Sequence, residues 1–458
     1  MNLKKRNAHR LFKNNRVWLL LLAGPLLVSR LPGMPGIIAN PTPEVPLVPA
    51  AMENDVTNNA MTVFVPNGTI VDQSLPQPFR YGPFTVRPHV DYNSVYGSGI
   101  QAAPTNHQTT AIQQISPGLA LDLGTHWTLD YTPTIRLYSN SQFKDGVDHA
   151  VSLVGGTHYE DWTFGLSQGF VYTTAPDVET AGQTEQQNFT TALTAADVLN
   201  DKLSLNLGLN QDFNYAQNLQ DSRDWSTMNW LNYTFWPRLT AGVGAGVGYL
   251  NVETGSDQPY ENLQADVNWR ATDKISIQVS GGLQVRQFLG ATSQTYLVGV
   301  ITNLSYVTIN SSSDLITPIF NATIQYQPFQ DTQISVNAGR SISPSLIPGS
   351  DTIDTSFGAS INQTLFKKFA LNLGASYSVS KFTQTGSVAN TLPNNEIELA
   401  LQDNGRSDDN YILTARLSHP FLRRGSWSVF YQYSDNQSTE AGFGYHGNQV
   451  GFDISYRY

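Results

Sequence analysis

The stretch GLSQG, Gly165 to Gly169, fits the G-x-S-x-G pattern that presents a serine nucleophile on a sharp strand-to-helix turn. Here Phe164, Leu166, Phe170 and Tyr172 alternate around Ser167, which is the pattern of a strand running straight on. Ser167 is therefore expected to share the polar face of that strand, and the match is one of chance. The chain has eight His and no Cys. None of the histidines forms the H-E-x-x-H pair of a zinc site. His89, His126, His149, His158 and His419 fall at strand ends or beside turns, without the Asp/His or Ser/His pairing that a hydrolase at a barrel rim needs. The lack of cysteine excludes disulfides, thiolate metal sites, a cysteine nucleophile and a lipid-modified cysteine. No phosphate-cradling loop occurs. The expectation is a non-enzyme with no catalytic, cofactor-binding or metal residues.

The charges that do follow a pattern are Arg87, Asp91, Asp130, Arg136, Asp266, Arg270, Arg286, Arg416, Asp453 and Arg457. Each falls on the polar face of an alternating run, which makes these ten the candidate pore-lining residues. Facing lipid, an Arg or Lys costs about 2 to 4 kcal/mol at mid-membrane, whereas a wet lumen accepts it. Both signs occur, so two readings stand: a transverse field across a channel, or mutual pairing that fills the lumen.

The runs that carry these charges have a period of two. WTLDYTPTIRL sets Trp127, Leu129, Tyr131, Pro133, Ile135 and Leu137 against Thr128, Asp130, Thr132, Thr134 and Arg136. LSLNLGLNQDFNY, LTAGVGAGVGY, ISIQVSGGLQV, FALNLGASYSV and WSVFYQY repeat the alternation. No helical period fits, and a two-residue period sustained over ten or more residues exceeds an ordinary soluble strand. A tilted strand crossing a bilayer needs about 9 to 11 residues, which accounts for the length. Short turns alternate with longer polar loops. Trp127, Trp162, Phe369 and Trp427 follow short turns, while Tyr172, Tyr215, Tyr249, Tyr377 and Tyr433 lie near the far strand ends, as two interfacial belts require. Amphipathic strands in lipid must close, because an open edge leaves backbone groups unpaired. The expected fold is all-β: a transmembrane antiparallel up-and-down β-barrel of about 18 strands, with 16 or 20 as alternatives, over residues 84–458.

Ahead of it, six basic residues precede an apolar run of 12 residues, VWLLLLAGPLLV, too short for a spanning helix and laid out as a secretory signal peptide over residues 1–39. Its removal takes seven basic residues and no acid. Nineteen basic then face 36 acidic residues, and the net charge moves from -10 to -17. Nucleic acid is an unsuitable partner for such a surface. The Pro-rich residues 40–83 read as a flexible periplasmic leader.

Two further features bear on the lumen. Gly242, Gly244, Gly246 and Gly248 leave a bare stripe on one inner face, onto which a loop or a neighbouring aromatic would pack, unless it only relieves crowding. The longest connection, 289–314, would constrict the pore if folded inward, but its own alternation favours a hairpin. The acidic loop 383–407 is expected outside the cell.

The last residues, VGFDISYRY, place Val450, Phe452, Ile454, Tyr456 and Tyr458 on one apolar face. This ending resembles the C-terminal signal read by the barrel assembly machinery of Gram-negative bacteria. From GPFTVRPHVDY onward, residues 84–458 resemble the putative beta-barrel porin families, of the porin 2 type. The resemblance implies an integral outer-membrane location with both termini periplasmic, and contact with outer-membrane lipid and lipopolysaccharide. The leader is far shorter than the plug of a TonB-dependent transporter. The leading expectation for function is a porin-like channel for passive diffusion of small hydrophilic solutes, with no cofactor and with homo-oligomerisation open. The alternatives are the barrel of an exopolysaccharide export system, with Phe288, Phe382 and Phe430 stacking on sugars, or a structural or adhesive surface barrel with a plugged lumen.

Overall fold

A computed structural model describes residues 79–253, 256–289, 294–298, 305–309, 314–347, 350–384, 389–391, 397–399, 405–422 and 424–457. The segments expected to be a signal peptide and a leader, up to residue 78, and Tyr458 lie outside the described residues. The remainder folds into one antiparallel ladder of 18 long strands. In chain order these are β1 (Phe84–Ala103), β2 (Asn106–Leu123), β3 (Trp127–Tyr138), β4 (Gly146–Tyr159), β5 (Trp162–Thr173) and β6 (Gln186–Asn200). There follow β7 (Leu203–Ala216), β8 (Ser222–Thr227 and Asn229–Trp236, interrupted only at Met228), β9 (Leu239–Val252), β10 (Gln258–Thr272), β11 (Ile275–Arg286) and β12 (Leu315–Phe329). The last are β13 (Thr332–Pro344), β14 (Ser350–Leu365), β15 (Phe369–Gln384), β16 (Ser407–Phe421), β17 (Gly425–Ser438) and β18 (Tyr445–Arg457).

Each strand pairs with its sequence neighbours, and β18 returns to β1 in a register running from His89↔Arg457 to Gly97↔Gln449. That last ladder closes the sheet on itself. Among the 18 described staves no backbone edge is left for lipid to meet, which is the condition for crossing a membrane with strands. One rim carries eight tight connections (124–126, 160–161, 201–202, 237–238, 273–274, 330–331, 366–368 and 422–424), and the other carries the longer loops together with the two-residue β1–β2 turn.

The outer face is apolar, with Val243, Val247, Leu263, Ile316 and Val450 each more than half exposed. Ring contacts trace the two belts. At the short-turn rim Phe369, His419, Trp427 and Phe452 succeed one another at 4.6, 5.9 and 6.5 Å between centroids. Toward the other rim Phe170, Phe189 and Tyr215 follow at 4.7 and 6.0 Å, and Tyr377 stacks on Tyr411 at 4.8 Å.

The packed core lies inside the barrel, in its long-loop half. Val95, Ile100, Ile112 and Phe430 from the wall close around Phe143 of the β3–β4 loop. A register shift after Gly97 lets β1 bend there. Gly99 makes the bend with φ 77°, and an added Cβ would lie 2.5 Å from the His446 carbonyl oxygen, so no side chain fits.

Candidate functional site

The inner face follows from the alternation, since every second residue of a stave must point inward. In the half nearer the short turns these residues are amides, hydroxyls and charged groups, and many are open to solvent. Asn268 and Arg270 on β10, Gln278 on β11, Gln325 on β12, Asn337 on β13, Asn362 on β14 and Ser376 on β15 are all exposed. Their hydrogen bonds are local, as between the Ser335 and Ser360 hydroxyls at 2.7 Å and from Asn372 Nδ2 to Asn362 Oδ1 at 2.6 Å.

Most of the ten charges anticipated on the inner face meet a partner. Arg87 pairs with Asp122 at 2.6 Å, Arg136 with Asp148 at 2.7 Å, and Arg286 with Asp351 at 3.5 Å. Arg416 pairs with Asp453, which also accepts hydrogen bonds from Ser428 and Asn93. Asp91 accepts from Ser455 Oγ, and Asp266 from Asn268 Nδ2 at 2.7 Å. Asp130 accepts from Thr132 Oγ1 at 2.8 Å, with His89 Nδ1 at 3.8 Å. Arg270 and Arg457 form no ion pair with a described residue. Of the terminal aromatic row, Val450 is 58% exposed on the outer wall, and Phe452, Ile454 and Tyr456 continue its face.

Toward the long-loop rim the lumen is crossed by residues 174–185, the β5–β6 connection, referred to below as the strap. A two-residue ribbon, Pro176↔Gln183 and Asp177↔Gly182, gives it a stem. The strap is rooted by Thr174, whose N–H and hydroxyl both donate to Asp148 Oδ1, and by Gln183, whose amide bonds both backbone groups of Lys144. Its tip reaches the far wall. Glu179 Oε1 accepts from Ser345 Oγ and from the Leu346 N–H at 2.7 Å, in the β13–β14 loop eight staves away. Arg406, ahead of β16, donates to the carbonyls of Glu179 at 2.7 Å and Val178 at 3.3 Å. Its guanidinium lies between the Phe382 and Phe443 rings and is held by Asp408 at 2.5 Å. Along a third side, Pro176, Asp177 and Val178 pack against Gly99, Ile100 and Gln101 of β1 and Tyr445 and Gln449 of β18, leaving a cavity of about 20 Å³. That is room for a single water.

Part of the strap is dehydrated, with Ala181 at 0% exposure and Asp177 at 7%, whereas Glu179 at the tip is half-buried. Burial pushes the Glu179 carboxyl up to about 7, its Ser345 hydrogen bond opposing and the Asp177 charge adding to the rise. Burial also raises Asp177, against the hydrogen bond from Gln186 and those from the N–H groups of Glu179 and Thr180.

Sequence reasoning placed the constricting insert elsewhere or nowhere. In the connection 289–314 the ribbon Gln294–Val298 with Ser305–Ile309 does form a hairpin. The strap was missed because it has no period, and its contacts, Ser345 and Arg406, are 166 and 227 residues away from Glu179. A faint signal existed in Ala175, Val178 and Ala181, apolar residues in a loop that should have been polar throughout. The glycine stripe of β9 has bulky neighbours: a Cβ on Gly244 would meet the Trp230 ring at 2.6 Å, and one on Gly248 the Tyr260 ring at 2.1 Å. Ser167 sits mid-strand on β5, opposite Val154 and Ala192, so the sharp turn of a nucleophile elbow is not formed.

Residues 310–458 match the family described as putative beta-barrel porin 2. Among solved structures, OpdL of Pseudomonas aeruginosa is similar at 11% identity and a TM-score of 0.40, over 81% of this chain and 98% of that one. OccK8 (OprE) of the same species gives 10% identity, a TM-score of 0.39 and coverages of 81% and 98%. OccAB3 of Acinetobacter baumannii gives 7%, 0.41, 81% and 99%. No curated protein matches the sequence.

Proposed function

We propose that the protein is an outer-membrane channel for passive diffusion of small hydrophilic solutes, oriented with the short turns and both termini in the periplasm. The observation that carries the reading is the wet inner wall. Asn268, Gln278, Gln325, Asn337, Asn362 and Ser376 form a polar, solvent-accessible surface inside a cylinder whose outside is apolar. Solvent-facing amides on such a wall stand in for the hydration shell of a passing solute and demand no catalytic step. Of the ten inward charges, Arg87, Arg136, Arg286, Arg416 and Asp453 are neutralised in ion pairs, while Asp91, Asp266, Arg270 and Arg457 have no ion-pair partner among the described residues. Lipopolysaccharide and outer-membrane lipid would cover the exterior, and the assembly machinery would read the row ending at Tyr456 and Tyr458.

Planar-bilayer recording of the mature chain tests this, with stepwise conductance expected. A complete lack of current under every condition, with heat-modifiable migration showing a folded barrel, would overturn it. The buried strap favours a second reading, a surface barrel with a plugged lumen. Liposome swelling with sugars of graded size separates the two, since a diffusion channel admits the small ones and a fixed plug admits none. For an export barrel the proposed sugar-stacking rings are poorly placed: Phe382 and Phe430 point inward but lie under Arg406 at 4.5 Å and Arg416 at 4.7 Å, only 8% and 6% exposed.

A further inference from the structure

We propose that the strap is a latched gate, released when the Glu179 tip leaves Ser345, Leu346 and Arg406. The inference rests on the channel reading and adds its regulation. The stem of the strap packs against β1 and β18 and carries its own short ribbon, but the tip is joined to the far wall by four hydrogen bonds: two to one carboxylate oxygen and two from one guanidinium to backbone carbonyls. Such contacts can be exchanged for water at small net cost once the tip is wetted. The stem, by contrast, is anchored on its own side through Thr174 and Gln183. Strong root and exchangeable tip are the layout of a hinged flap.

The tip also carries the element that biases it. Facing Glu179 are Asp177 from the strap itself, Arg406 from the segment ahead of β16 with its partner Asp408 on β16, and, among the described residues of the β13–β14 loop, the Ser345 hydroxyl and Leu346 N–H. Arg406 is already held by Asp408, so Glu179 and Asp177 share an under-neutralised pocket. The closed state raises both carboxyls and therefore holds protons more tightly than the open, hydrated state. Closure is favoured in acid. It weakens as pH rises from the ordinary carboxylate range toward about 7, the value for Glu179, and then levels off.

The experiment is planar-bilayer recording of the mature chain between pH 5 and pH 8, in wild type and three variants. Heat-modifiable gel migration reports folding in each. Wild type is expected to raise its open fraction about tenfold across that range. Glu179→Gln keeps the acceptor oxygen without the charge, and is expected to favour the closed state at pH 8 with a much flattened profile, Asp177 alone remaining to titrate. Arg406→Ala is expected to raise the open fraction at pH 5. Replacing residues 176–183 by two glycines is expected to give a permanently open channel of higher conductance. An unchanged pH profile in Glu179→Gln, or an unchanged conductance in the shortened strap, overturns the gate and leaves the channel standing. Currents absent even from the folded, shortened variant overturn the channel reading, and the gate falls with it.

Discussion

The two halves of the lumen are built from similar residue types but live in different media. Beneath the long loops, Asp351 and Thr352 are at 0% exposure, Gln258 at 1% and Arg286 at 3%. Nearer the short turns, Asn337, Asn362 and Gln278 are open to water. In the dehydrated half the charged groups are gathered into chains, as Arg286, Gln258 and Asp351 illustrate: Arg286 donates to Gln258 Oε1 at 2.9 Å, and Gln258 to Asp351 Oδ1 at 3.1 Å, while Thr352 Oγ1 and the side-chain amide of Gln114 are buried there with no hydrogen-bond partner among the described residues. In the wet half water supplies whatever the protein does not. The difference teaches that the strap and the loop tips, not the wall composition, decide what a lumenal charge costs.

That contrast can be broken most forcefully at Arg286. Its replacement by alanine strands Asp351 in a site without water, at a cost of about 3 to 5 kcal/mol. Urea unfolding of the barrel in lipid vesicles should show the midpoint falling accordingly. A loss below 1 kcal/mol would mean that water reaches Asp351 and that the upper half is not dry. The outer wall gives the next largest effect. Leu263, 67% exposed and facing outward, is expected to cost about 2 to 4 kcal/mol as Leu263→Arg, whereas the inward Gln264→Arg on the same strand should be near neutral. Equal costs at the two positions would invert the assignment of faces. The smallest effect sharpens the comparison from the wet side: Asn337→Ala and Gln278→Ala should each stay within about 0.5 kcal/mol of wild type in the same assay.

Much of this architecture was legible before any coordinates. The expected barrel of about 18 strands over residues 84–458 coincides with the 18 observed staves, the first beginning at Phe84 and the last running to Arg457. Alternation is a local property, and lipid outside with water inside imposes it on every strand. The strap was not legible, because what determines its course is the complementarity of Glu179 with Ser345 and of Val178 with Arg406, pairs that are distant along the chain. The inward charges were legible as to face, but their neutralisation was not, since Arg416 finds Asp453 only through the cross-strand registers of β16, β17 and β18.

Sequence alone determined the strand length, the two faces, the belts and the closure of the ladder, because each follows from a two-residue period matched to the thickness of a membrane. Only the tertiary structure decided which loop enters the lumen and where it docks. Ring closure brings the β5–β6 connection opposite the β13–β14 loop, and the partial burial between them gives a carboxylate such as Glu179 its altered affinity for a proton.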